Sequence, residues 1–150
     1  MKKFQGFSLV EVLVFISVLG LFFTAAMSVT TFNLRNMKIQ EHKILATRYA
    51  EEGLEWVKDE KETDWSTFIT HDTSGTGTMY CLNSLEDGWG ILGDCGESYS
   101  LGSPPFFFRN LLIKNTGNPV DQVDVTTTVT WKEGTDIKNV QIKSVFKLLE

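Results

Sequence analysis

Glu11 is the residue of this 150-residue chain whose chemistry stands out first. It is the one charged side chain among the 26 residues from Phe7 to Phe32. A carboxylate near mid-membrane costs a few kcal/mol on insertion scales, so such a residue usually has a partner or a role. The other reactive types are arranged less suggestively. His42 and His71 are far apart and lack zinc-ligand spacing. His42 sits among helix-surface charges and is read as a solvated side chain. Glu51, Glu52, Glu55, Asp59, Glu60 and Glu62 read as a charged helix end, since nothing places two of them across a cleft. Asp121 and Asp124, after Asn115 and Asn118, could offer oxygens to a calcium ion, but they fit no EF-hand spacing and read better as a turn. There is no Gly-x-Ser-x-Gly elbow and no Gly-rich phosphate loop before a Lys. No enzyme is expected, and no motif asks for a cofactor or a metal.

Cys81 and Cys95 do not form a Cys-x-x-Cys motif. Two cysteines alone, enclosing a Gly-rich stretch, fit one disulfide in an oxidising compartment; two buried thiols are the other reading. If joined, their loop should lie at the surface, because its Gly and Asp content cannot fill a core.

The elements that must position these residues divide the chain in two. Val12 to Leu34 is uncharged and free of Pro, long enough to cross a hydrocarbon core of about 30 Å. Lys2 and Lys3 precede it, and Arg35 and Lys38 follow, so flanking charge leaves its orientation open. The apolar run is longer than the roughly 7–15 residues of a cleaved secretory signal, although Thr24-Ala25-Ala26 supplies a small-residue site. Setting Lys2, Lys3 and Glu11 aside from 14 basic and 19 acidic residues leaves 12 against 18, a net of −6 for the remainder. That balance argues against a nucleic-acid face.

Helix formers continue from Arg35 to about Lys61, with Gly53 the one glycine. A continuous helix from Phe7 to Lys61 would be roughly 80 Å long. At 100° per residue, Leu34, Met37, Ile44, Leu45, Tyr49 and Trp56 form one apolar stripe. Ile39, Ala46, Ala50, Leu54 and Val57 form another on the opposite side. Two stripes predict one face for the core and one for a neighbour.

Thr63 to Pro105 reads as a loop-rich middle that hides short elements or a pinned loop. Beyond it, Phe106–Ile113 reads as a buried strand. Val123, Val125, Val129 and Trp131, then Val140, Ile142, Phe146 and Leu148, alternate with polar residues around a turn at 133–136. The fold class expected is α+β: a long N-terminal helix packed on a small antiparallel sheet.

Gly6-Phe7-Ser8-Leu9-Val10-Glu11, behind a short basic leader and at the head of an apolar helix, resembles the type IV prepilin signature. That signature marks type IV pilins and the pseudopilins of type II secretion. The resemblance implies that residues 1–6 are a cleaved leader, 7–34 a transmembrane and assembly segment, and 35–150 a pilin-like head. It implies cutting after Gly6 by prepilin peptidase, N-methylation of Phe7, and Glu11 as the assembly residue. It also implies other pilin subunits, an inner-membrane platform and its ATPase as partners. The location implied is the inner membrane with the head outside the cytoplasm, then a filament. Major pilins usually carry a Pro where this chain has Ser28 and Val29, which points away from a major subunit. Ala50-Glu51-Glu52-Gly53-Leu54-Glu55 and Thr130-Trp131 before a Gly turn resemble minor pilins and minor pseudopilins. Two other fates remain open: an uncleaved signal anchor bearing a binding domain, and release after Ala26.

Overall fold

Helix-forming residues run without a Pro from the apolar segment into the polar one, and a single helix, α1, spans Leu9–Thr63. The computed structural model describes residues 8–86, 88–96, 100–102 and 106–148. The chain divides into two units, Met1–Gln40 and Glu41–Glu150, and α1 contributes to both.

In the second unit, the head, α1 buries Ala46, Ala50, Gly53, Val57 and Lys61. These recur three or four residues apart and so share one face. The small-residue stripe is therefore the core face, as close approach of helix to sheet requires. Leu45, Tyr49 and Trp56 from the other stripe are half-buried at its flank, while Ile44 is exposed. Asp64 ends α1 and caps the short helix α2 (Trp65–Phe68) by accepting from the Ser66 amide. A 3-10 turn, Ile69–His71, follows.

The sheet has five antiparallel strands: β1 Thr78–Cys81, β2 Ile91–Leu92, β3 Phe107–Gly117, β4 Val120–Glu133 and β5 Asp136–Lys147. Their order is β2-β1-β3-β4-β5. The alternating strands expected of the C-terminal third are present, with Gly134-Thr135 as the β4–β5 turn. The β3–β4 turn runs through Asn118-Pro119, just before Asp121 and Asp124. Strand β5 ends at Lys147, and Leu148 is exposed beyond it. The loop-rich middle hides two strands, both too short to show a period of their own; β1 exists because it pairs with β3 from Thr78↔Ile113 to Cys81↔Asn110.

The inner faces of β3 and β4 build two adjoining clusters against the helix. One gathers Val57, Phe68, Tyr80, Leu82, Leu111, Ile113, Val123 and Val125. The other gathers Ala46, Ala50, Phe107, Val129 and Trp131. The middle of the chain is stitched on by Asp72. Its carboxylate accepts from the amides of Ser74, Gly75 and Asn115 and from the Thr78 hydroxyl.

Candidate functional site

Gly6 and Phe7, the expected processing junction, lie outside the described residues. Glu11 does not: it occupies the first turn of α1, exposed. Opposite charge placement at a helix N-terminus is favourable to a carboxylate, because the unpaired amides there carry partial positive charge. The apolar side chains that follow are exposed on every side, among them Leu13, Phe15, Ile16, Leu21 and Phe22. A helix apolar all round is built for lipid or for neighbours like itself.

Four hydroxyls in that stretch are satisfied within the helix. Ser17 donates to the Leu13 carbonyl (2.8 Å), Thr24 to Leu21 (2.9 Å), Thr30 to Ala26 (3.0 Å) and Thr31 to Met27 (2.9 Å). These four hydroxyls then need no water, which is the condition for burial in hydrocarbon. By length and composition the helix can cross a membrane.

The head is held by a charged residue that the sequence pattern conceals. Arg109 takes a core position of β3, between Phe107 and Leu111, and is 1% exposed. Its Nε donates to the Leu82 carbonyl (2.8 Å), and its guanidinium to the Tyr49 carbonyl and a Glu52 carboxylate oxygen (both 3.0 Å). One side chain thus ties α1, β3 and the segment after β1 together. Burial pulls the guanidinium below its ordinary pKa, and the Glu52 hydrogen bond opposes that shift. Gly53 makes room for it: a Cβ there would stand 2.9 Å from Arg109 Cδ and 3.2 Å from Thr127 Cγ2. Glu52 is therefore singled out from the acidic helix end. The one sequence signal was an Arg in register with apolar core positions.

His42 is corrected in the same way. It is not a solvated surface side chain: its Nδ1 lies 2.8 Å from Glu133 Oε2, and its ring packs 4.8 Å from that of Phe106. Trp131 Nε1 donates to the same Glu133 oxygen at 3.2 Å. His71 stacks on Trp89 at 3.7 Å. Asp124 accepts from Thr116 and Gln122 at the β3–β4 turn. Among the described residues, no three His, Cys, Asp or Glu groups are placed to hold a metal ion.

Cys81 and Cys95 are joined by a disulfide. The enclosed loop is only partly superficial. Leu82 is fully buried, and Leu85 and Trp89 pack on the core, while Ile91, Leu92 and Asp94 are exposed. Trp89 Nε1 also donates to Glu60 of α1 at 3.1 Å.

No curated protein and no solved structure matches this chain. Residues 1–27 match the family model for the prokaryotic N-terminal methylation motif. That match ends within the apolar stretch of α1, so the head stands on its own structure alone. The chain carries the prokaryotic N-terminal methylation motif, the type IV pilin signature, at its N-terminus.

Proposed function

We propose that the protein is a structural filament subunit, a minor pilin or pseudopilin of a type IV pilus or type II secretion-like system. The observation that carries this is the methylation motif over residues 1–27, running into an uncharged helix with Glu11 in its first turn. In this reading prepilin peptidase cuts between Gly6 and Phe7, and Phe7 becomes the methylated N-terminus. Before assembly the helix anchors the chain in the inner membrane, with the head outside the cytoplasm. A disulfide in the head supports an oxidising compartment. Other pilin subunits, a membrane platform and its ATPase are then the partners, and the role is structural rather than catalytic.

Glu11 lies about one turn from the cut, where the chain's own new amine is an awkward partner within one helix. The amine of an adjacent subunit, sliding along the helix axis, is a better one. Pairing would neutralise both charges in low dielectric and set axial register. Mass spectrometry of the mature N-terminus tests the processing step. Phe7 is the expected first residue; Met1 would mean an uncleaved anchor and Met27 a released protein.

A further inference from the structure

We propose that the outer edge of β5 is a docking site for an extended segment of another protein. The segment alternates apolar and acidic residues and joins the five-stranded sheet as one more strand.

The backbone supplies the hydrogen-bonding groups. Strand β5 ends the sheet and pairs with β4 from Gln122↔Lys147 to Glu133↔Asp136 without a register shift. Just beyond it, the Leu148 amide donates to the Asp121 carbonyl of β4. Amides alternate in direction along a strand, so those of Phe146, Ser144, Ile142 and Val140 also face β4. Those of Ile137, Asn139, Gln141, Lys143, Val145 and Lys147 face away from the sheet. Among the described residues no backbone group reaches them. Proteins usually interrupt so long an edge with Pro, a bulge or a covering element. Strand β5 has no Pro, no Gly and no bulge.

The side chains say which strand fits. On the core face, Val140, Ile142 and Phe146 pack on the two clusters but stay half-buried. Apolar residues on that face of an added strand would complete their burial. On the outer face, Lys143 and Lys147 are exposed, with Val145, 50% exposed, between them. Neither lysine is ion-paired among the described residues. On the same face of β4 stand Lys132 and Asp124, and Asp124 accepts from Thr116 and Gln122. Asp136 is paired with Lys138 at 3.1 Å. Carboxylates four residues apart on the incoming strand would meet Lys143 and Lys147, which are about 13 Å apart along β5. Strand addition of this kind draws affinity from main-chain bonds and specificity from alternate side chains.

A copy of this chain is a poor occupant. Antiparallel pairing of two β5 edges needs a twofold axis normal to the sheet, which reverses α1 from one head to the other. The Glu41 ends would then leave on opposite sides. Two chains anchored through α1 in one membrane, as the filament reading has them, cannot be so related. Symmetric parallel pairing would set Lys143 on Lys143 and Lys147 on Lys147. The other edge of the sheet, β2, has two residues and cannot match the twelve of β5. The lysines thus turn away copies and admit an acidic strand.

The test uses the full chain in nanodiscs, a short blocked peptide alternating Val and Glu as probe, and amide hydrogen exchange resolved by residue. At saturating peptide the amides of Asn139, Gln141, Lys143 and Val145 should exchange about tenfold more slowly, while those of Val140, Ile142 and Ser144, already bonded to β4, change little. The same peptide with Lys in place of Glu, or N-methylated along one edge, should protect nothing. K143E/K147E should reverse the preference and take the Lys peptide. Gln141→Pro removes an outward amide without touching the β4 ladder, and should abolish protection. Should that variant lose the β4–β5 ladder, the N-methylated peptide on the parent chain makes the same comparison. No protection by the Glu peptide, or equal protection by both peptides, would overturn the site. So would protection that grows with protein concentration and needs no peptide, since a copy then covers the edge. Protection in chains that keep Met1 leaves the edge site standing and removes the filament reading. A Phe7 N-terminus without protection removes the edge site alone.

Discussion

At the residue scale, the Gly53–Arg109 contact decides a competition between two effects of similar size. Gly53→Ala should gain up to about 1 kcal/mol of helix propensity. It also drives a Cβ to 2.9 Å from Arg109 Cδ. That side chain cannot yield cheaply, because it is fixed at both ends by Leu82, Tyr49 and Glu52. Overpacking of this kind typically costs about 1–3 kcal/mol, so the variant should be less stable than the parent in urea unfolding followed by tryptophan fluorescence. A stabilised Gly53→Ala variant would mean that the clamp is loose.

Two aspartates give the head a defined acid response. Hydrogen bonds from the Thr67 and Ser66 side chains hold Asp64 down to about 2, against an ordinary 3.8. Burial pushes Asp72 upward, but the amides of Asn115, Ser74 and Gly75 and the Thr78 hydroxyl outweigh it and leave its pKa lowered. Both folded values lie below the unfolded ones. Their stabilisation is therefore complete above the ordinary carboxylate range and is lost as pH falls through the folded values. The melting temperature should drop as pH is lowered from about 4 towards 2, and drop less in Asp64→Asn and Asp72→Asn chains. Equal acid responses in all three would count against these two carboxylates.

At the element scale, the disulfide does what the middle of the chain cannot do by packing. Its two-residue strand β2 has both side chains exposed. What holds the segment is the Cys81–Cys95 bond, the Gly93 amide donating to Met79, and Trp89 on the core. Closing a loop of this size stabilises by about 3 kcal/mol in the chain-entropy model. The paired variant Cys81→Ser/Cys95→Ser should lose about 2–4 kcal/mol in the same urea assay. It should also shift Trp89 emission towards that of exposed indole.

The long elements were legible in the sequence because each carries its own period. Helix formers without a Pro predicted α1, an apolar run predicted β3, and period-two alternation predicted β4 and β5 with a turn at Gly134. Strands β1 and β2 were not legible, since four and two residues are too few to show alternation and their pairing partners lie outside them. Arg109 was concealed because a charge at a core position contradicts the pattern around it. His42 read as solvated because its partner, Glu133, is 91 residues away. At the N-terminus the order is reversed. The resemblance to the prepilin signature is what suggested a junction there, and residues 1–27 match the methylation motif.

At the scale of the whole molecule, the account requires Gly6 and Glu11 to fail at different steps. Replacing Gly6 by a bulky residue should block cutting and leave Lys2 and Lys3 on an inner-membrane precursor. Glu11→Ala leaves the junction unchanged and makes the helix more apolar, so cutting should proceed. Incorporation should not, because the neighbour's buried amine loses its counter-charge. Removing one side of such a buried pair typically costs about 3–5 kcal/mol, more than a modest gain in apolar surface at a helix end can offset. The most direct measurement combines mass spectrometry of the mature N-terminus with the amount of this protein in sheared filaments, for Glu11→Ala beside the parent. The account predicts a Phe7 N-terminus in both and near-absence of the variant from filaments. A Glu11→Ala chain that is cut and incorporated as well as the parent would contradict it.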